Sequence, residues 1–154
     1  IKLSHKLFES SMSKNSLAGR TPLNCFWGGG LPLWVEIDFV DIFLKPSHVT
    51  FTHGYNCNNS FMQNFDIEGY HQGAWVNLFS QAEILFNKSY QQKTVKITKS
   101  NDKFFKKFRV VQRTNYSMGP SSTSAGAAFM CLSGIEFYGL AIGVDHKKKD
   151  VENN

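Results

Sequence analysis

Five histidines, three cysteines and a scatter of carboxylates are the groups of this 154-residue chain that could do chemistry. His5, His48, His53, His71 and His146 never stand four residues apart, and none has a cysteine at ligand spacing. A zinc site needs several such donors converging on one point, so no metal site is expected. Cys57 beside His53 offers a thiol and a base, but no neighbouring group in the sequence lowers the thiol pKa or orients the imidazole. Ser133 sits in Leu132-Ser133-Gly134 without the Gly-x-Ser-x-Gly elbow of a nucleophile and reads as a buried structural serine. Glu36 and Asp38 share one face of a strand pattern and could support acid-base work on a glycan, yet two such acids are ordinarily a strand's wet side. Gly28-Gly29-Gly30 lacks the strand, the helix and the following Lys-Ser or Lys-Thr that make a phosphate loop. No catalytic constellation is complete, and no cofactor is expected.

The loop aromatics carry more information. Trp27 and Tyr55 stand among glycines and asparagines, where a large ring has little core to fill, and a ring beside amides is a common grip for a peptide or sugar. The competing reading is that Trp27 tucks back as a plug beneath its own loop. Arg20, His53, Asn56 and Tyr116 join the candidate binding set by their position in or beside loops.

Seventeen Lys and Arg against 12 Asp and Glu give a net charge of +5, a bias towards anionic partners that names none of them. Much of the excess lies in residues 93–109 and in Lys147-Lys148-Lys149, which read as a solvated face and tail before they read as a nucleic-acid site. Cys25, Cys57 and Cys131 form no close pair, and an odd number cannot all pair within one chain, so a reduced, intracellular (cytoplasmic) setting is the simpler inference. Against it stand the glycosylation triplets at Asn58, Asn87 and Asn115, of which this composition supplies roughly two by chance. No secretory signal opens the chain, and its longest uncharged stretch is too rich in Ser and Gly to span a bilayer, so a soluble protein is expected. Starting at Ile1, the chain reads as a piece of something longer.

The elements that must position these residues are strands. Leu33 to Phe39 alternates, with Trp34, Glu36 and Asp38 outward and Val35, Ile37 and Phe39 inward. Val49-Thr50-Phe51-Thr52-His53, residues 61–70, Ala74 to Phe79, residues 93–98, residues 104–112 with a solvent-facing basic row, and residues 128–140 repeat the pattern. Gln72-Gly73 reads as a hairpin turn, residues 19–32 as one long loop, Pro46 as the end of a connection, and residues 80–92 as loop or short helix. Residues 1–19 read as a short helical or irregular lead-in, 20–142 as the domain and 143–154 as a charged, frayed tail. Seven or eight short strands without βαβ alternation predict an all-β, two-sheet antiparallel β-sandwich.

The order of Trp34-Val35-Glu36-Ile37-Asp38-Phe39, His53-Gly54-Tyr55, Asn64-Phe65-Asp66-Ile67-Glu68-Gly69, Gly73-Ala74-Trp75, Phe108-Arg109-Val110-Val111-Gln112 and Leu132-Ser133-Gly134-Ile135-Glu136-Phe137-Tyr138-Gly139 resembles the galactose-binding-like, discoidin or coagulation-factor C-domain superfamily. The closing run is most similar to the intracellular branch beside HECT-type ubiquitin ligases and in BTB adaptors. The resemblance covers residues 20–140 and implies a jelly-roll platform that binds through loops at one end, here residues 24–30, 54–60 and 115–124. Some members hold a structural calcium near the first loop, but residues 24–30 offer no carboxylate for it. Trp34 and Trp75 are expected to cover sandwich edges, and Gly69 and Gly73 to permit a tight turn.

The function expected first is a non-catalytic, intracellular protein-interaction module that recruits a protein or peptide partner to a larger, possibly ubiquitin-ligase, assembly. The alternative is a lectin-like module of a surface or secreted protein that binds a glycan or anionic lipid. A nucleic-acid binder using residues 93–109 and a hydrolase rank below both, and no specific nucleic-acid partner and no transmembrane segment are expected.

Overall fold

The computed structural model describes residues 1–3, 25–29, 31–54, 61–99, 102–113 and 128–143, with the backbone alone for residues 3, 25–29, 128 and 129. Nine strands occur among them: β1 (Lys2–Leu3), β2 (Cys25–Gly29), β3 (Leu33–Asp38), β4 (Ile42–His53), β5 (Phe65–His71), β6 (Ala74–Gln81), β7 (Gln92–Lys96), β8 (Lys107–Gln112) and β9 (Ala128–Gly143). They form a five-stranded sheet, β1-β3-β8-β5-β6, and a four-stranded sheet, β2-β9-β4-β7, with antiparallel neighbours throughout. No helix that could cross a membrane occurs among the described residues.

The alternation read in β3 is the alternation observed. Leu33 and Val35 are fully buried, while Glu36 and Asp38 face outward towards Lys2 at 3.8 Å and Lys107 at 3.5 Å. The two inner faces meet through aromatic rings. Phe51 of β4 meets Phe65 of β5 edge-on at 5.6 Å, and Phe108 of β8 lies 4.5 Å from Phe137 of β9. Such pairs add about 0.5–1.5 kcal/mol beyond the area they bury, so they weld one sheet to the other.

Several sequence expectations are corrected. Residues 19–32 are not one long loop, because Cys25–Gly29 pairs with β9 from Cys25↔Leu132 to Gly29↔Ala128. A backbone this rich in glycine can still form ladder hydrogen bonds when a long neighbouring strand offers the template. Pro46 does not end a connection but sits inside β4, opposite Gly139 and at the edge of a bulge between Pro46 and His48, the kind of place where a strand tolerates proline. Lys2–Leu3, within the expected lead-in, forms the edge strand paired with Glu36 and Val35. Residues 82–91 contain turns and bends and no helix.

Gln72-Gly73 is the expected hairpin turn, with φ of 48° and 85° at the two positions and His71 paired to Ala74. Gly69 has a different reason to be glycine. It lies in the body of β5, where an added Cβ would stand 2.5 Å from a Phe105 ring carbon.

Candidate functional site

Strand direction decides which connections share an end. β4 runs from Ile42 to His53, and β9 returns past it from Leu132, opposite His53, to Gly143, opposite Ile42. The β2–β3, β4–β5, β6–β7 and β8–β9 connections therefore emerge at the His53 end, and β3–β4, β5–β6 and β7–β8 at the other. Four connections on one end is the arrangement that builds a loop platform on a rigid sandwich.

The floor of that platform is buried. His53 is 0% exposed, with its ring 4.9 Å from Phe61 and 5.0 Å from Phe86. Its backbone N–H donates to Gln91 O at 3.0 Å, and its carbonyl accepts the Ser133 hydroxyl at 3.1 Å. His53, expected to contact a ligand, is thus a core residue that holds the loops from beneath, because it continues the inward alternation of Val49 and Phe51 along β4. Ser133 is the buried structural serine expected from its context.

Above this floor the chain backbones knit together. Gly54 N–H donates to Cys131 O at 3.3 Å, Tyr90 N–H to Gly54 O at 3.5 Å, Leu85 N–H to Met62 O at 2.9 Å and Arg113 N–H to Asn64 O at 2.9 Å. Tyr90 and Asn64 hold φ of 56° and 43°, left-handed conformations that fix the loops in tight reversals. Tyr90 is 43% exposed, with Ile84 at 40% on the same β6–β7 connection and Leu31 at 41% on the β2–β3 connection. Tyr90 is the described exposed aromatic of this end, and the sequence reading missed it because residues 80–92 carry no clear period. Its signal was local: a ring in a run of Asn87, Ser89, Gln91 and Gln92.

Of the six residues expected to bind, Trp27 lies on β2 opposite Met130, in a strand rather than a loop, and His53 is buried. Arg20, Tyr55, Asn56 and Tyr116 lie outside the described residues. Cys131 is disulfide-bonded, which corrects the expectation of free thiols.

On the outer face of the five-stranded sheet, side chains from four strands form a second, closed arrangement. Glu36, Arg109, Glu68 and Asn77 lie in one row across β3, β8, β5 and β6. Arg109 donates to Glu68 Oε2 from Nε at 2.9 Å and from Nη2 at 2.5 Å, and its guanidinium covers the Trp75 ring at 4.4 Å. Arg113 donates to Glu68 Oε1 at 3.0 Å and pairs with Asp66. Burial raises the Asp66 carboxyl, but hydrogen bonds from Ser80 and Arg113 and the Arg113 charge outweigh it and hold the group below the usual carboxylate range. Arg113 is raised in turn by its bond to Asp66. The Arg109 row is not a solvent-facing basic strip, as its alternation implied: a carboxylate row lies across from it and neutralises it.

No protein-family model and no curated protein sequence matches the chain. Its fold does have solved counterparts. A module from Clostridium perfringens in complex with GalNAc-β-1,3-galactose superposes with a TM-score of 0.64 at 10% identity, covering 90% of this chain and 93% of that one. The family 32 carbohydrate-binding module of C. perfringens NanJ in complex with galactose gives 0.62 at 14% identity, covering 88% and 91%. A fucose-binding module from Streptococcus pneumoniae gives 0.60 at 12% identity, covering 90% and 91%. The fold is therefore an all-β, two-sheet antiparallel β-sandwich like that of these modules, as the strand pattern predicted. The expected likeness to the intracellular ubiquitin-ligase branch finds no support among these counterparts.

Proposed function

We propose that this chain is a non-catalytic carbohydrate-binding module that holds a glycan at the loop end. The observation that carries the reading is the likeness, over nine-tenths of the chain, to sandwiches solved with galactose-containing sugars. The loop end supports it with an exposed aromatic, Tyr90, on a platform stiffened by backbone hydrogen bonds, which is how a sugar's apolar face is gripped without a large ordering cost. Trp27, Tyr55, Asn56, Arg20 and Tyr116 remain candidate partners to Tyr90 in this reading, and His53 serves as its support.

This places the glycan alternative ahead of the protein-recruitment function expected first. The cytoplasmic setting rested on three reduced cysteines, and a disulfide at Cys131 suits an oxidising compartment instead. Screening the domain on a glycan array tests the reading, followed by the Tyr90→Ala variant on any glycan bound. Loss of about tenfold or more in affinity supports it. Absence of any bound glycan, with capture of a peptide partner instead, returns the recruitment reading to first place.

A further inference from the structure

The end of the sandwich away from the loops carries an open groove of about 530 Å³ on the outer face of the four-stranded sheet, lined by Lys45, Pro46, Ser47, His48, Lys96 and Leu140, among others. Its shape comes from the β4 bulge. Two ladder pairs, Pro46↔Gly139 and His48↔Tyr138, flank the bulge, and Ser47 is left out of register so that its hydroxyl donates to Tyr138 O at 3.1 Å. Gly139 closes the floor. A Cβ there would overlap the Lys45 carbonyl oxygen, so the close passage of β9 over the bulge requires glycine.

The side chains around this groove are of two kinds. Lys96 and His48 stand opposite one another across β7 and β4, Lys45 follows below the bulge, and His48 Nδ1 lies 3.1 Å from Ser47 Oγ. Among the described residues, no carboxylate lines the groove. The nearest ones described are Asp102, which pairs with Lys45 from a fully exposed position, and Glu136, which accepts the Tyr138 hydroxyl at 2.5 Å. Beside the cations lie a ring and an alkyl surface, Tyr138 at 44% and Leu140 at 63% exposed. Beyond them runs a ladder of hydroxyls and amides, with Thr50 Oγ1 2.7 Å from Thr94 Oγ1 and Gln92 donating to Thr52 Oγ1 at 3.2 Å.

We infer that this groove is a second binding surface, selective for an acidic polysaccharide bearing sulfate or carboxylate groups. Lys45 and Lys96 supply charge-assisted hydrogen bonds to the anionic groups. Tyr138 supplies a face for a sugar ring, and the Thr and Gln row supplies neutral partners for hydroxyls. That mixture fits a sugar chain lying across strands better than a lipid surface, which would use the alkyl groups and leave the hydroxyl row unmatched. The inference extends the glycan reading above to a second, charge-selective site, but it stands on residues at the opposite end.

The probe is a heparin-derived hexasaccharide, compared with its desulfated form, titrated calorimetrically into the whole chain. The surface assigned here predicts binding of the sulfated form only, weakening with salt. It also predicts a loss of roughly tenfold or more in Lys45→Ala/Lys96→Ala. Tyr138→Ala should weaken binding with its circular-dichroism spectrum unchanged, and Lys45→Arg/Lys96→Arg should retain it. Equal binding of the desulfated form overturns the proposal. So does unchanged binding in the double alanine variant, or loss only when Lys147, Lys148 and Lys149 are replaced. Binding to phosphatidylserine vesicles without binding of the hexasaccharide likewise overturns it. Loop-end binding of neutral sugars, measured separately with Tyr90→Ala, reports on the function proposed above and is unaffected by these lysine substitutions.

Discussion

The two outer faces of this sandwich use charge in opposite ways. On the five-stranded sheet, Arg109 and Arg113 converge on a Glu68 whose side chain is 8% exposed, and Trp75 lies beneath the Arg109 guanidinium. On the four-stranded sheet, Lys96, His48, Tyr138 and Leu140 stand around an open groove, and no described carboxylate pairs with Lys96. A charge enclosed by its partners holds strands together, whereas a charge left beside open volume is available to something outside the molecule. The difference is one of partners and not of composition, since both faces are built from alternating strand positions.

Removing Glu68 should be the costliest way to disturb this contrast. Glu68→Ala leaves two arginines without their shared acceptor, and we expect a loss of about 2 kcal/mol in urea unfolding. That is less than the roughly 3–5 kcal/mol of a fully buried pair, because both arginines keep access to water and Arg113 keeps Asp66. A loss as small as that of a surface pair would mean that the face is not closed.

Asp66 gives the next effect, as a pH dependence. Its folded pKa lies below that of the free carboxyl, so its contribution is fully present above about pH 4 and disappears as pH falls through the folded value. Asp66→Asn should lower stability at neutral pH and flatten the acid limb of a melting-temperature profile. An unchanged limb would remove Asp66 from the network.

The smallest effects belong to charges that face water. Lys96→Ala should change stability by no more than about 0.5 kcal/mol, as should Lys2→Ala at the mouth of the opposite row. Lys2 is 72% exposed and 3.8 Å from Glu36, a geometry in which ordering the side chain cancels most of the attraction. A large loss for Lys96→Ala would show that the open face is structural after all.

Where a strand has one wet and one dry face, the sequence carried its position plainly: Leu33 to Asp38 and the Gln72-Gly73 turn could be read from period and turn chemistry alone. What failed were features whose cause is a distant neighbour. Cys25–Gly29 is a strand because it pairs along β9, and Pro46 sits inside a strand at the edge of a bulge. Arg109 is half-buried because Glu68, one strand across from it, and Trp75, two strands across, close over its side chain. At the loop end the signal was local and was overridden: His53 stands one step from Gly54, but its place in the alternation with Val49 and Phe51 makes it core. Tyr90 was hidden by the lack of any period around it, although its polar company marked it as exposed.

The most direct test of the glycan reading is calorimetric titration of the domain with β-galactoside and GalNAc-terminated oligosaccharides, alone and as Tyr90→Ala and Lys96→Ala. Saturable binding by the parent chain, weakened about tenfold by Tyr90→Ala and untouched by Lys96→Ala, is the result predicted for a glycan held at the loop end. Absence of binding to any such sugar, or binding indifferent to Tyr90, would contradict it.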